Sequence, residues 1–242
     1  MILYPAVDIC GGHAVRLIRG DYDRETVYDA DPVDAACRWV GQGARFLHVV
    51  DLDGAREGRP VNLAQVRRIA AGVEVPIQLG GGLRGSEAIA EALAAGVSRV
   101  VLGTAAHSDP GLVGELVAEH GERIVVSVDA RQGNVAVSGW TRETETAAPD
   151  LLRALAERGV TRFVYTPVEV DGTLEGPALD DLRVAAEVTD AELIYSGGVG
   201  SLDDLRALAG LGHAGVTGVI VGRALYEGRF TVAEGQRALG GP

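Results

Sequence analysis

Eight short β-branched apolar runs alternate with amphipathic segments of crossover-helix length, in a chain of 242 residues that repeats by halves; together these predict an α/β protein folded as a single (β/α)8 TIM barrel. Strict alternation of nearly all-apolar strands with helices marks a parallel sheet buried on both faces. Eight such units in about 250 residues are the size of a closed barrel. The runner-up is a doubly wound open sheet. No Pro- or Ser-rich linker and no shift in composition divides the chain, which favours one domain over residues 1–242.

The repeat is visible in the residues. Residues 53–58 (DGAREG) match residues 171–176 (DGTLEG) at an offset of 118. Gly81 and Gly82 pair with Gly197 and Gly198 at 116, Gly103 with Gly222 at 119, and Asp8 with Asp129 at 121. Two half-barrels of about 1–120 and 121–242 are expected, related by an approximate twofold axis that sets the first strand opposite the fifth. Solenoid repeats are far shorter.

In chain order, strands are expected at 2–8, 46–51, 75–79, 99–103, 124–129, 162–166, 193–196 and 218–222, where β-branched residues concentrate. The Ala/Leu/Arg/Glu-rich segments at 32–42, 63–71, 86–95, 111–120, 150–158, 179–188 and 201–211 read as the intervening helices, and 231–239 as the last. Residues 9–31 and 130–149 carry no helical pattern and read as long loops, of the kind that serve as lids.

Hydrophobic residues make up 47% of the chain, enough for a large core. The 22 basic and 34 acidic residues give a net charge of −12, which argues against nonspecific nucleic-acid binding and against docking on anionic membranes. An anionic ligand therefore needs a local positive site. No apolar run reaches the roughly 18–20 residues of a membrane span, and the N-terminus lacks a signal peptide's basic region, so a cytoplasmic protein is expected. Cys10 and Cys37 read as reduced, mostly buried thiols with no metal to hold.

The chemistry gathers at the strand ends. Loops after barrel strands form the active face, so an acid ending a strand projects into the mouth. Asp8 and Asp129 hold that place on the first and fifth strands, and alternation sets Tyr4, Ala6 and Asp8 on one side, Val125, Ser127 and Asp129 on the matching side. Two carboxylates approaching from opposite walls suit general acid and base work when their environments separate their pKa values. Gly80–Gly82, Gly103 with Thr104, Ser196–Gly198, and Gly222 with Arg223 each follow a strand and precede a helix, leaving bare backbone N–H groups for phosphate. Symmetric placing implies a small bisphosphorylated ligand. In the long segments, Arg16, Arg19, Arg131, Trp140 and Arg142 are able to clamp phosphates or stack on a planar ring. His48 lies near the end of the second strand and Thr166 ends the sixth; the other four histidines carry no assignment.

Seven motifs resemble the phosphoribosyl-formimino-aminoimidazole-carboxamide ribotide (ProFAR) isomerase family of histidine biosynthesis, across essentially the whole chain. They are PAVDICGGHAVRL at 5–17, LHVVDLDGA at 47–55, QLGGGLR at 78–84, SVDARQGNVAVSGW at 127–140, DGTLEGP at 171–177, SGGVGSLDDL at 196–205 and GVIVGRALYEGRFT at 218–231. The resemblance implies an Amadori rearrangement, aminoaldose to aminoketose, on a substrate with a phosphate at each end. Asp129 would protonate the ribose ring oxygen and Asp8 would remove the C2 proton, with no metal or cofactor. Thr166, Asp171 and His48 match positions that line the family's site, and Asp171 is the rival for the carboxyl that assists the acid step. Arg84 and Gly172 lie within the same motifs, beside the glycines expected to bind phosphate. The family's members are usually monomeric.

Two relatives are weighed beside this reading. The sister cyclase usually has a lysine in its first loop, whereas this chain contains no lysine and reads AVRLIRG at 14–20. A bifunctional isomerase that also acts on phosphoribosyl anthranilate is typically richer in Gly and Arg than VAVSGW at 135–140. A non-catalytic phosphosugar-binding barrel would have no need of paired strand-end acids.

Overall fold

Alternation along the strands decides the architecture, because residues of both parities are apolar and both faces must be covered. In the computed structural model, which describes residues 1–240, β1 (Ile2–Cys10) runs into an antiparallel ribbon of β2 (His13–Ile18) and β3 (Asp21–Asp29), followed by α1 (Pro32–Gly41). Then come β4 (Leu47–Asp51), α2 (Leu52–Glu57), α3 (Leu63–Gly72), β5 (Ile77–Gly80), α4 (Ser86–Ala94), β6 (Arg99–Leu102), α5 (Thr104–Ser108) and α6 (Pro110–His120). The second half opens with β7 (Ile124–Arg131), its ribbon of β8 (Asn134–Val137) and β9 (Arg142–Ala147), and α7 (Ala148–Ala156). It continues through β10 (Arg162–Pro167), α8 (Leu179–Glu187), β11 (Glu192–Ser196), α9 (Leu202–Gly210), β12 (Val216–Val221), α10 (Arg223–Tyr226) and α11 (Val232–Ala238).

Parallel pairing runs β1-β4-β5-β6-β7-β10-β11-β12, and β12 returns to β1 with Ile2 opposite Gly218. The sheet is therefore a closed eight-stranded barrel, and the open-sheet alternative falls. The expected strands and helices lie where the alternation put them. The two long segments are the exception: 9–31 and 130–149 form ribbons hydrogen-bonded to β1 and β7 rather than irregular loops. Ala14, Val15 and Leu17 of β2 are buried, but most of β3 is exposed, so no alternating apolar signal survives there.

Two cores result. Leu3, Val7 and Ile9 of β1 point outward into the layer between barrel and helices, where Trp39 of α1 is also buried. Tyr4 and Ala6 point inward, meeting Phe46, Val101, Val125, Val164, Ile194 and Ile220 inside the barrel. Below them the Arg99 guanidinium stacks 4.3 Å from the Phe46 ring centroid, and Arg162 pairs with Glu192 at 2.8 Å. Helix starts are secured locally: Asp31 caps α1 ahead of Pro32, and capping boxes Ser201/Asp204 and Thr231/Glu234 start α9 and α11. Cys10 is half-buried and Cys37 exposed, so the second thiol is not the buried one expected. Among the described residues no helix is long and apolar enough to cross a membrane.

Candidate active site

The strand ends open into a cavity of about 230 Å³. Inward alternation carries Asp8 into its wall from β1, and Ser127 and Asp129 from β7. Both strands run two residues past their acid, so each carboxyl projects from within the strand rather than from its last residue. Ser127 Oγ donates to Asp129 Oδ1 at 2.6 Å and Trp140 Nε1 donates to Oδ2 at 2.8 Å, with the Thr166 hydroxyl a third donor. Burial outweighs these donors and pushes the Asp129 carboxyl above the usual range.

Asp8 accepts from Arg16 Nη1 at 2.5 Å. Burial pushes its carboxyl up and the Arg16 charge opposes the rise. Asp171, in the loop after β10, is pushed up to about 6 by burial, held back by Arg16 and raised further by the charges of Asp8 and Asp129. The Arg16 guanidinium thus faces two carboxyls, Asp8 and Asp171, while Asp129 across the cavity is held by neutral donors. His48 is driven down to about 3 by burial and then by Arg16, so it stays neutral. Gln78 Nε2 donates to its Nδ1 at 2.9 Å, which leaves the ring proton on Nε2.

The glycine loops form two pairs around the acids. Gly81 (φ +104°) follows β5, and a Cβ there would stand 2.1 Å from the Asp51 carbonyl oxygen; Gly198 (φ +77°) follows β11, and its Cβ would stand 2.1 Å from the Gly176 carbonyl oxygen. Only glycine fits either place. The first pair, Gly81 and Gly82 with Gly103, Thr104 and Arg84, borders the main cavity. The second, Gly197 and Gly198 with Gly172, Gly222 and Arg223, lines a slot of about 20 Å³ that shares Arg16 and Asp171 with the cavity. Arg223 donates to the Gly172 carbonyl and to Glu227, each at 2.7 Å.

The ribbon turns meet over the mouth: the Trp140 ring packs against Gly20, whose Cβ would lie 2.6 Å from it. Arg19 stands apart from the cavity lining. Its Nε donates to the Glu169 carbonyl at 2.9 Å and its N–H to the Asp171 carbonyl at 3.1 Å, tying the first ribbon to the loop after β10. Arg131 pairs with Glu143 at 3.5 Å and Arg142 lies exposed in β9; neither lines the cavity. Ser196 lines the cavity as part of its glycine loop, while Ser127, Gln78 and Tyr22 belong to the lining or its support though none had been assigned a role in the site from the sequence. Parity along the strands carries the signal for Ser127 and Gln78, each a polar residue on an inward position. Among the described residues no three His, Cys, Asp or Glu side chains group as metal ligands.

Fold and site define a class: a (β/α)8 barrel with facing buried acids at its mouth, set between two glycine-lined pockets. The chain belongs to the histidine biosynthesis protein family, whose model matches residues 2–231. It is 51% identical over 234 residues to a protein of Desulforudis audaxviator, covering 97% of this chain and 89% of the relative. It is 48% identical over 240 residues to one of Picosynechococcus, covering 99% and 94%, and 45% identical over 240 residues to one of Brevibacillus brevis, covering 99% and 96%. All three relatives are named 1-(5-phosphoribosyl)-5-((5-phosphoribosylamino)methylideneamino) imidazole-4-carboxamide isomerase.

Proposed function

We propose that this protein isomerises ProFAR, the bis-phosphoribosyl compound of its relatives' names, to the ribulosyl product by an Amadori rearrangement. One observation carries the reading: Asp8 and Asp129 enter a single cavity from β1 and β7, between one glycine-lined pocket after β5 and β6 and another after β11 and β12. A ligand with a phosphate at each end spans such a site with its aminoaldose ribose beside the acids.

Asp129 is the general acid. Its raised carboxyl keeps a proton closer to neutral pH than an exposed aspartate would, and it delivers that proton to the ribose ring oxygen as the C1–O bond breaks and the nitrogen lone pair forms a Schiff base. Asp8 then removes the C2 proton, giving an enolamine that takes a proton back at C1 and relaxes to the ketose. Thr166 and Trp140 orient Asp129, neutral His48 offers its Nε2–H to a substrate oxygen, and Asp171 shares the charge balance around Arg16. Gly81, Gly82, Arg84, Gly103 and Thr104 hold one phosphate; Gly172, Gly197, Gly198, Gly222, Arg223 and Arg16 hold the other. The reading includes a cytoplasmic monomer that uses no metal or cofactor.

The test is conversion of ProFAR by purified protein beside phosphoribosyl anthranilate. Turnover of ProFAR alone is expected, with Asp8→Asn and Asp129→Asn each lowering kcat by roughly 10²–10⁴-fold while still binding substrate. Turnover of both substrates would move the chain to the bifunctional reading, and turnover of neither would overturn the catalytic one.

A further inference from the structure

We propose that Arg16 is a phosphate-operated positioning residue: a phosphate entering the slot beside Gly198 and Gly222 takes the Arg16 guanidinium from Asp8 and leaves Asp8 free to act as the base. The inference deepens the isomerase reading, which supplies the task Asp8 then performs.

Three observations converge on Arg16. Its Nη1 donates to Asp8 at 2.5 Å. Its guanidinium lies flat on Gly222, where a Cβ would stand 2.3 Å from Cζ and 2.5 Å from Nη2. Its Nε is buried without a hydrogen-bond partner. The same group thus neutralises the base and borders both the main cavity and the slot.

The anchoring of the two cations decides which of them moves. The slot is narrow, about 20 Å³ against about 230 Å³ for the main cavity, and both Arg16 and Arg223 line it. Arg223, the other cation there, is anchored at both ends of its guanidinium, on Gly172 and on Glu227. Arg16 has a single anchoring acceptor, Asp8, and a spare donor. A phosphate dianion offers it a stronger bidentate partner than one carboxylate oxygen.

Losing Arg16 makes Asp8 more basic, because that cation is the charge opposing the effect of burial. The acidic or neutral ionisable groups facing this region are Asp171 after β10, Tyr226 on α10, Tyr22 and Tyr28 in β3, and His48 and Asp129 across the cavity. Two further cations line the cavity or slot, Arg84 beside Gly58 and Arg223 held by Gly172 and Glu227. Arg16 is the charge that offsets the burial of Asp8, so neither replaces it as counter-ion. Removal of the C2 proton is in this way coupled to a correctly seated distal phosphate.

The test follows the Asp8 carboxyl by ¹³C NMR through a pH titration, assigned with Asp8→Asn, without and with inorganic phosphate. Phosphate is expected to raise the Asp8 titration midpoint by about one pH unit or more, a tenfold change in proton affinity. In Arg16→Met the midpoint is expected to be high already and unmoved by phosphate; in Arg223→Met it is expected to stay at the phosphate-free wild-type position. Circular dichroism establishes that each variant folds, and the second variant serves if the first does not. No phosphate-dependent shift in the wild type, or a shift that survives Arg16→Met, overturns the proposal. The titration needs no turnover, so a protein that shows the shift yet leaves ProFAR unchanged would keep the switch and sink the isomerase reading.

Discussion

Asp8 and Asp129 occupy equivalent strand positions, yet one faces a guanidinium and the other three neutral donors, and that contrast separates an acceptor of protons from a donor. Asp171 bears on both: their charges raise its carboxyl, and once ionised a like charge disfavours their ionisation in turn. Replacing it with asparagine removes a negative neighbour and lowers both catalytic midpoints. Asp171→Asn is therefore expected to move both limbs of the kcat/KM pH profile to lower pH, and a profile that keeps its position would separate Asp171 from the acid–base pair. Much of this is legible in the sequence: parity along two apolar runs brings Asp8 and Asp129 to one cavity, and the 118-residue repeat draws the eye to Asp171. What parity does not carry is the environment. Arg16 on Asp8 and Trp140 on Asp129 depend on how the ribbons fold back, and Arg19, in the same ribbon as Arg16, turns to a backbone carbonyl instead.

At the level of elements, the eight barrel strands and eight longer helices follow from apolar period and length, because each must bury one or both faces. The ribbons do not. The β3 segment DYDRETVYD and the β9 segment RETETA lie largely in solvent, where no alternation is required, and the short helices α2, α5 and α10 span too few turns to show a period. The ribbons nevertheless set the roof of the site through Trp140. Trp140→Phe removes the donor to Asp129 and keeps most of the packing on Gly20. A lost donor raises the acid's midpoint, so the alkaline limb of the rate profile is expected to move to higher pH. Trp140→Ala is expected in addition to speed amide exchange in both ribbon turns, with the barrel strands unaffected. The glycine loops offer a different probe. Gly198→Ala forces a Cβ toward the Gly176 carbonyl at a positive φ, and a loss of about 2 kcal/mol or more of stability is expected in denaturant titration.

For the whole molecule, the buried charges of the mouth set how stability responds to pH, on top of a net charge of −12 that is repulsive at neutrality. Asp171 has a folded-state value of about 6 against 3.8 unfolded, so its contribution is most favourable below about pH 4 and is lost as pH rises to 6. His48 has a folded-state value of about 3 against 6.5 unfolded, so its contribution is present above pH 6.5 and is lost as pH falls. Between pH 4 and 6 the unfolded chain binds one proton more at His48 and the folded chain one more at Asp171. The two slopes, each about 1.4 kcal/mol per pH unit, oppose one another there. Removing either group exposes the other. Relative to wild type, Asp171→Asn is expected to gain stability steadily from pH 4 to 6 in phosphate-free urea titrations, and His48→Gln to lose it over the same interval. Parallel curves for either variant would mean that its side chain keeps its solution titration in the folded barrel, and that the mouth is wetter than its packing implies.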